Sequence, residues 1–505
     1  YKRQWLPQIP DKKNGKRIAC VGAGCASLTV ANDLLPLGYD VVIFEQFDIT
    51  GGLMRTNIPA FRLPASVLND EINMILEMGV DLRLDHRVDS MQALLKEDFD
   101  AVFVGTGAPR GKELELPGRH DSDRIHIGID WLESVAFEHT DSIGEKVLII
   151  GVGNTAMDCC RTSLRLGGRD VKVMARKPRG HFKASAWELE DAEEEQVEIV
   201  VNHSPREFVI EDGKLVGMRF DHLEYSEDSA GNLESKVIGE EFLPCDDVIL
   251  AIGQENAFEW IERDIGITFD EWNVPVIDKT THQSTLDGVF FGGDAAFGPE
   301  NIIWAVEHGH QAAISIHRYC ASQSLNDRMP VGMNLASTKM SIHEWSFSND
   351  FDPSVRRQMR HVDLQKRFDE LNIEVELGFS SEQAAIEIQR CLNCDIQTVF
   401  NEKLCIECDA CIDVCPVLCL TITENGEEAE LRQRLTAPAE NKDQAIFVSK
   451  GLPQTGRVMV KDEDLCVHCS LCAERCPTGA WDMRKSTLLI PYAIDEEVAW
   501  ARKAG

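Results

Sequence analysis

Cysteine and glycine are the residue types whose spacing in this chain could do chemistry, and the cysteines are the more specific. Residues 404–416 read LCIECDACIDVCP, with Cys405, Cys408, Cys411 and Cys415 separated by two, two and three residues ahead of Pro416. Residues 465–477, LCVHCSLCAERCP, repeat the arrangement with Cys466, Cys469, Cys472, Cys476 and Pro477. Three thiolates on one tight loop can reach three irons of a cubane cluster, whereas the fourth, about a turn further on, points elsewhere. Proline after it redirects the chain and keeps a backbone N–H out of the site. Zinc also accepts four thiolates, but its sites usually show two separated C-x-x-C knuckles, so two full copies of this run favour iron–sulfur clusters. Cys391 and Cys394, in QRCLNC, and Cys419 stand outside both runs. A third cluster needs four ligands, so a structural role is the preferred reading for these three; a cluster or metal shared with another chain is the alternative.

The glycines belong to two strand–turn–helix–strand patterns. In KRIACVGAGCASLTVANDLLPLGYDVVIFE, Gly22 and Gly24 form a tight turn that lets a pyrophosphate approach the backbone at a helix N-terminus. The third fingerprint position is Ser27, small enough for close helix–strand packing. Glu45 closes the second strand, where a carboxylate takes ribose hydroxyls. The second pattern, KVLIIGVGNTAMDCCRTSLRLGGRDVKVMARK, carries Gly151, Gly153 and Ala156 as G-x-G-x-x-A. Its second strand ends in Arg176 and Lys177 with no acid there, which suits a 2′-phosphate and favours NADP(H) over NAD(H); the alternative is a solvated strand end. Cys159 and Cys160 are adjacent on its helix, unlike a C-x-x-C redox pair, and neighbours on a helix face different ways. Both are expected to pack as small apolar residues. Finally, TLDGVFFGGDAAFGPENIIWAVEHGHQAA has a strand ending in Gly292, Gly293 and Asp294 and a helix starting near Asn301.

These elements need a scaffold of several cores. A chain of 505 residues with 43% hydrophobic residues is expected to form about three domains. No apolar run approaches the ~20 residues of a spanning helix, and YKRQWLPQIP has no apolar segment behind its basic residues, so neither membrane insertion nor a signal peptide is expected. A net charge of −34 argues against nucleic acid and anionic membrane as partners; it reads first as solubility, with docking to a basic patch on another subunit as the alternative. Seventeen cysteines without an export signal point to metal ligation in a reducing compartment, with the cytoplasm as the default.

The cysteine runs resemble bacterial-type ferredoxins with two clusters. There the fourth cysteine of each run serves the other cluster, which implies one set of Cys405, Cys408, Cys411 and Cys476 and a second of Cys466, Cys469, Cys472 and Cys415. GAGCASL, GGLMRTNIPAFRLP, GVGNTAMDC, ELEDAEEEQVE, AIGQ and GVFFGGDAAFGPENIIWAVEHGHQAA, within residues 15–320, resemble the small subunit of glutamate synthase. They are equally similar to the flavin/NADPH-binding part of dihydropyrimidine dehydrogenase. The resemblance implies FAD at Gly22, Gly24, Ser27, Glu45, Gly52, Leu53, Arg62, Val88, Thr106, Gly107, Gly293, Asp294, Asn301 and Ile302. It implies that Asp294 meets the ribityl–pyrophosphate region and that the helix beginning beside it stabilises negative charge on the reduced ring. It implies a nicotinamide nucleotide at Gly151, Gly153, Asn154, Thr155, Ala156, Arg176, Lys177, Lys183, Ala251, Ile252 and Gly253, with NADPH agreeing with the charge argument. Those relatives carry a cysteine-rich domain ahead of the flavin, whereas this chain has no cysteine before Cys20. Neither glutamine-handling machinery nor a pyrimidine-reducing barrel is present.

The expected fold is therefore α/β, with two Rossmann-like nucleotide-binding domains, one inserted in the other, and a small α+β ferredoxin-like domain. The expected boundaries are an arm over 1–16, the FAD domain over 17–140 and 260–325, the NAD(P) domain over 141–259, a linking segment over 326–385 that packs on either neighbour, and the ferredoxin domain over 386–505. Fifty residues, 416–465, separate the cysteine runs, an insertion long enough to dock a partner. The expected activity is that of a flavoprotein NAD(P)H:acceptor oxidoreductase subunit, passing electrons between nicotinamide, FAD and two 4Fe-4S clusters. No side chain is required as acid or base. Its partner would be a ferredoxin or a cluster-bearing catalytic subunit such as a 2-oxoacid or aldehyde oxidoreductase. The rivals are a glutamate synthase small subunit and a non-catalytic wiring or assembly subunit.

Overall fold

The computed structural model describes residues 7–227, 233–337, 339–341, 344–345, 354–391, 395–424, 427 and 446–495. The chain forms two compact units, one of Tyr1–Met329, His361–Leu377 and Tyr492–Gly505 and one of Pro330–Arg360 and Gly378–Pro491.

The first unit is built on two parallel five-stranded sheets. Arg17–Val21 and Asp40–Phe44 are apolar runs buried on both faces after their first residue, as strands covered on both sides by helices must be. They pair Ile18 with Val41, and the sheet runs Val289–Phe291, Ala101–Val104, Arg17–Val21, Asp40–Phe44, Asp81–Arg83. The second sheet runs Ile125–Ile127, Asp247–Leu250, Lys146–Ile150, Asp170–Met174, Glu198–Val200. All of its strands lie between the fourth and fifth strands of the first sheet in chain order, so one Rossmann-like fold is inserted in the other, as the motifs led us to expect. In both sheets the glycine turn follows a strand whose neighbours leave in opposite directions along the sheet, the crevice where α/β folds bind ligands.

The helix Cys25–Leu34 after the first turn packs on the long helix Ile302–Cys320. Gly309 permits the approach, since a Cβ there would stand 2.6 Å from the Ala26 carbonyl oxygen. A three-stranded antiparallel sheet, His203–Glu211, Lys214–Glu227 and Leu233–Pro244, also belongs to this unit and is not foreseen by the motifs. Its last strand is exposed along most of its length and mixes polar residues with exposed Val237, Ile238 and Phe242, so it lacks the alternation that marks a half-buried strand.

In the second unit Gly332–Ser337 and Ile396–Phe400 flank Trp481–Leu489 in one antiparallel sheet. Val458–Lys461 is flanked by Leu420–Thr423 and Phe447–Val448 in another. Trp481, Met483, Met459, Phe400 and Leu420 fill the core between them. The stretch read as one linking segment, 326–385, is divided: Gly332–Ser337 joins the second unit's sheet, whereas His361–Leu377 belongs to the first unit. The last described residues also return to the first unit, where Tyr492 meets His310 edge-on and Ala493 is buried. The arm's residues 1–6, Cys394 and most of the insertion between the cysteine runs lie outside the described residues. Among the described residues no helix is long and apolar enough to cross a membrane.

Candidate functional site

The first glycine turn is shaped by close backbone approach. Gly22 has a φ of +92°, and a Cβ on it would stand 2.8 Å from the Gly105 carbonyl oxygen. Gly24 ends extended and starts the helix Cys25–Leu34 without a side-chain cap, leaving its first N–H groups for a ligand. Ser27 at the third fingerprint position is buried against Gly105, where any Cβ would collide with its hydroxyl. The smallness missing at one position is thus supplied at the other. Glu45 is 5% exposed; its carboxylate accepts the Ala23 N–H at 2.8 Å and the Phe47 N–H at 3.1 Å. Burial pushes its pKa up against the pull of these backbone donors.

Around this turn stand further glycines in backbone conformations that other residues rarely adopt. Gly52 and Gly107 have φ of +52° and +68°, and a Cβ on Gly52 would meet the Cα of Gly24 at 3.1 Å. Thr106 Oγ1 is buried without a hydrogen-bond partner among the described residues. Gly293, φ +61°, begins the turn Asp294–Phe297, and Asn301 caps the helix starting at Ile302 by accepting the Trp304 N–H at 3.0 Å. Burial raises Asp294 to about 6, opposed by the Glu300 N–H it accepts. Val88 is half-buried beside the same core. Side-chain-free backbone beside an acid, an unsatisfied hydroxyl and a free helix N-terminus fits a dinucleotide. Arg62 is held by Asp158 at 2.6 Å and by Glu188, both from the inserted domain.

The second turn repeats the design. At Gly151, φ +121°, a Cβ would collide with the Ala251 carbonyl oxygen, so the Ala251–Ile252–Gly253 stretch lies against the turn. Gly153 has open space where its Cβ would be and starts the helix Asn154–Arg165, on which Thr155 is half-buried and Ala156 buried. The N–H groups of Lys183 and Ala184 bond to the Val152 carbonyl at 3.3 and 3.1 Å, and Asn154 accepts the Ser185 N–H at 2.9 Å. These contacts bring Lys183 to the turn. Arg176 and Lys177 are exposed at the adjoining strand end, where the Tyr225 hydroxyl donates to the Arg176 carbonyl at 2.7 Å. Cys159 and Cys160 are fully buried, and burial raises both thiols far above their ordinary pKa.

In the second unit the two cysteine runs adopt one loop conformation. Glu407 and Asp409 in the first have positive φ, as do His468 and Ser470 at the equivalent positions of the second. Cys405, Cys408, Cys411 and Cys476 line one cavity, walled by Phe400, Met459 and Trp481. Cys466, Cys469, Cys472 and Cys415 line another. Each cavity gathers three sulfurs of one run and the fourth of the other. Backbone N–H groups point at sulfur: Glu407 to Cys405 at 3.4 Å and Ala480 to Cys476 at 3.2 Å. Two tetrads of thiols, each gathered around one cavity, fit 4Fe-4S clusters. Cys419 also lines the second cavity, 2% exposed, with its sulfur 3.5 Å from that of Cys415. Cys391 is exposed, and its neighbour Cys394 lies outside the described residues.

Residues 16–309 match the model of the pyridine nucleotide-disulphide oxidoreductase family, and residues 404–480 that of the 4Fe-4S dicluster domain. The chain belongs to the pyridine nucleotide-disulphide oxidoreductase family. It is a flavoprotein oxidoreductase of FAD and a nicotinamide nucleotide that carries two 4Fe-4S clusters. It is 33% identical to the NADP(+)-dependent formate dehydrogenase subunit beta of Moorella thermoacetica over 389 residues, 75% of this chain and 55% of that one. It is 32% identical to the NADPH-Fe(3+) oxidoreductase subunit beta of Geobacter sulfurreducens over 420 residues, 77% and 62% of the two chains. The glutamate synthase [NADPH] small chain of Azospirillum brasilense is 31% identical over 63% of this chain and 70% of that one. The chain thus spans less than two thirds of the first two relatives. Among solved structures, FprA of Mycobacterium tuberculosis in complex with NADPH shares the fold, with a TM-score of 0.53 at 16% identity over 61% of this chain and 85% of that one.

Proposed function

We propose that this chain is the electron-input subunit of a larger redox enzyme, accepting hydride from NADPH and delivering single electrons to a partner. The observation that carries this reading is the presence in one chain of two glycine-turn sites and two four-cysteine cavities. FAD, when bound, exchanges hydride with nicotinamide and single electrons with iron–sulfur clusters. Around it the chain's own residues bind and orient. Gly22, Gly24 and Gly52 admit the pyrophosphate, Glu45 receives the ribose, and Asp294 and the helix starting at Ile302 hold the flavin. Gly151, Gly153 and Asn154 receive the nicotinamide nucleotide, and Arg176, Lys177 and Lys183 give its 2′-phosphate a cationic seat. Cys405, Cys408, Cys411 and Cys476 hold one cluster, and Cys466, Cys469, Cys472 and Cys415 the other.

The formate dehydrogenase and NADPH-Fe(3+) oxidoreductase subunits support a cluster-bearing catalytic subunit as the partner, and an acidic surface suits docking to a basic patch on it. The test is anaerobic titration of the purified chain with NADPH and with NADH. NADPH is expected to bleach the flavin and develop the electron-paramagnetic-resonance signals of reduced clusters. Replacing Arg176 and Lys177 with alanine should raise KM for NADPH at least tenfold, about 1.4 kcal/mol, and leave NADH unchanged. A wild-type preference for NADH would overturn the NADP(H) assignment.

A further inference from the structure

The two cluster cavities share their cysteines symmetrically but differ in charge. The charged residue lining the first is Asp409, which is exposed, and its walls are otherwise largely apolar: Phe400, Ile406, Ile422, Met459 and Trp481. The charged residue lining the second is Lys461, only 1% exposed, at the end of the strand Val458–Lys461. Opposite Leu420 in the strand register, it lines the cavity together with Cys466, Cys469, Cys472 and Cys415. Its ammonium donates to Glu463 at 2.6 Å, but Glu463 has a 28% exposed side chain and does not line the cavity. The pair is therefore a dipole whose positive end is buried in the wall of the second cavity and whose negative end is partly exposed. The Cys419 N–H points at the Cys415 sulfur at 3.4 Å, and Thr398 Oγ1 is buried without a partner among the described residues.

We propose that Lys461 is a positioning residue for electrons: it makes the second cluster, the one held by Cys466, Cys469, Cys472 and Cys415, the easier of the two to reduce. The inference rests on the ligand sets given above. Reduction adds negative charge to a cluster that already carries four thiolates, and a buried cation favours the more negative state, while an acid at the other site opposes it. Potential differences between clusters follow net charge, hydrogen bonds to sulfur and solvent exposure; backbone N–H groups meet sulfur in both cavities, and it is the charge that favours the second site. Lys461 thereby draws the electrons of the chain towards the cavity of the second run and sets the face from which a one-electron acceptor takes them.

The experiment is an anaerobic redox titration of the full-length, cluster-loaded chain, followed by electron paramagnetic resonance, with iron and sulfide counted in every sample. Replacing Cys469 with serine alters the signal of the second cluster and so identifies it. In the wild type that cluster is expected at the higher potential. Lys461→Met should lower it by at least a tenfold change in the reduced fraction, about 59 mV for one electron, and leave the first cluster in place. Lys461→Arg should retain the wild-type value. Glu463→Gln, at a partly exposed position, should move the second cluster upwards and decides the matter should Lys461→Met fail to fold. Eight irons with unshifted potentials in Lys461→Met, or an unshifted second cluster in Glu463→Gln, overturn the proposal and leave the ligand sets standing. Fewer than eight irons in the loaded wild type overturns the ligand sets themselves.

Discussion

At the scale of single residues, the flavin site shows how a departure from a motif is absorbed. Ser27 stands where the fingerprint has glycine, and its hydroxyl occupies the space a side chain on Gly105 would need. The two positions therefore behave as one. Gly105→Ala is expected to destabilise the first unit by about 1–3 kcal/mol, the usual cost of forcing atoms into a packed core, and to lower the FAD retained per chain. Ser27→Ala alone should be nearly silent, and Ser27→Ala with Gly105→Ala should recover most of the loss. Thermal unfolding and flavin content of the three variants form a double-mutant cycle, and additive losses would show that the two residues do not share the space. The same reasoning explains what single residues disclose in advance. Glu45 and the glycines are legible because their roles depend on backbone geometry that few residue types tolerate. Gly105 and Lys461 are not legible, because what each does depends on which distant residue the fold sets against it.

At the scale of elements, His361–Leu377 is the piece whose place could not be read. It is polar, and its only regular structure is a short turn, Leu364–Phe368. Its position comes from ion pairs: Arg367, buried, meets Glu194 at 3.0 Å and Glu195 at 3.6 Å on the inserted domain. Further along, the Val375 N–H bonds to the Phe61 carbonyl at 3.0 Å in the flavin domain. Between these ends Arg165 lies over the Phe61 ring, its guanidinium carbon 3.9 Å from the ring centre, and Arg62 crosses to Asp158 and Glu188. The segment is a strap across the two nucleotide domains. Arg367→Ala should cost about 3 kcal/mol, near the lower end for breaking a buried pair, because Glu195 keeps Arg161 and Arg165. Limited proteolysis should then cut within 361–377 faster than in the wild type, with iron content unchanged. Equal cleavage rates would mean the strap is held by its backbone contacts alone. By contrast, the parallel strands were legible as continuous apolar runs between turn signals. The antiparallel sheet of 203–244 was not, since its outer strand hides no face.

At the scale of the molecule, the chain joins two kinds of electron chemistry. Nicotinamides give up electrons in pairs as hydride, and iron–sulfur clusters take them singly, so FAD is the obligatory junction between the two. The cysteine cavities are in one compact unit and both glycine turns in the other, which makes the two halves of the reaction separable by chemistry without cutting the chain. Stripping iron from the loaded protein with a chelator under mild oxidation removes the clusters and leaves the nucleotide sites intact. The stripped protein is expected to retain FAD, to be bleached by NADPH at close to the original rate, and to reduce two-electron dye acceptors as before. Its reduction of a one-electron protein acceptor such as a ferredoxin should fall at least tenfold, and rebuilding the clusters with iron and sulfide should restore it. Undiminished ferredoxin reduction after stripping would mean that the flavin itself meets the acceptor, and the cysteine unit would then have to serve some purpose other than the exit of electrons.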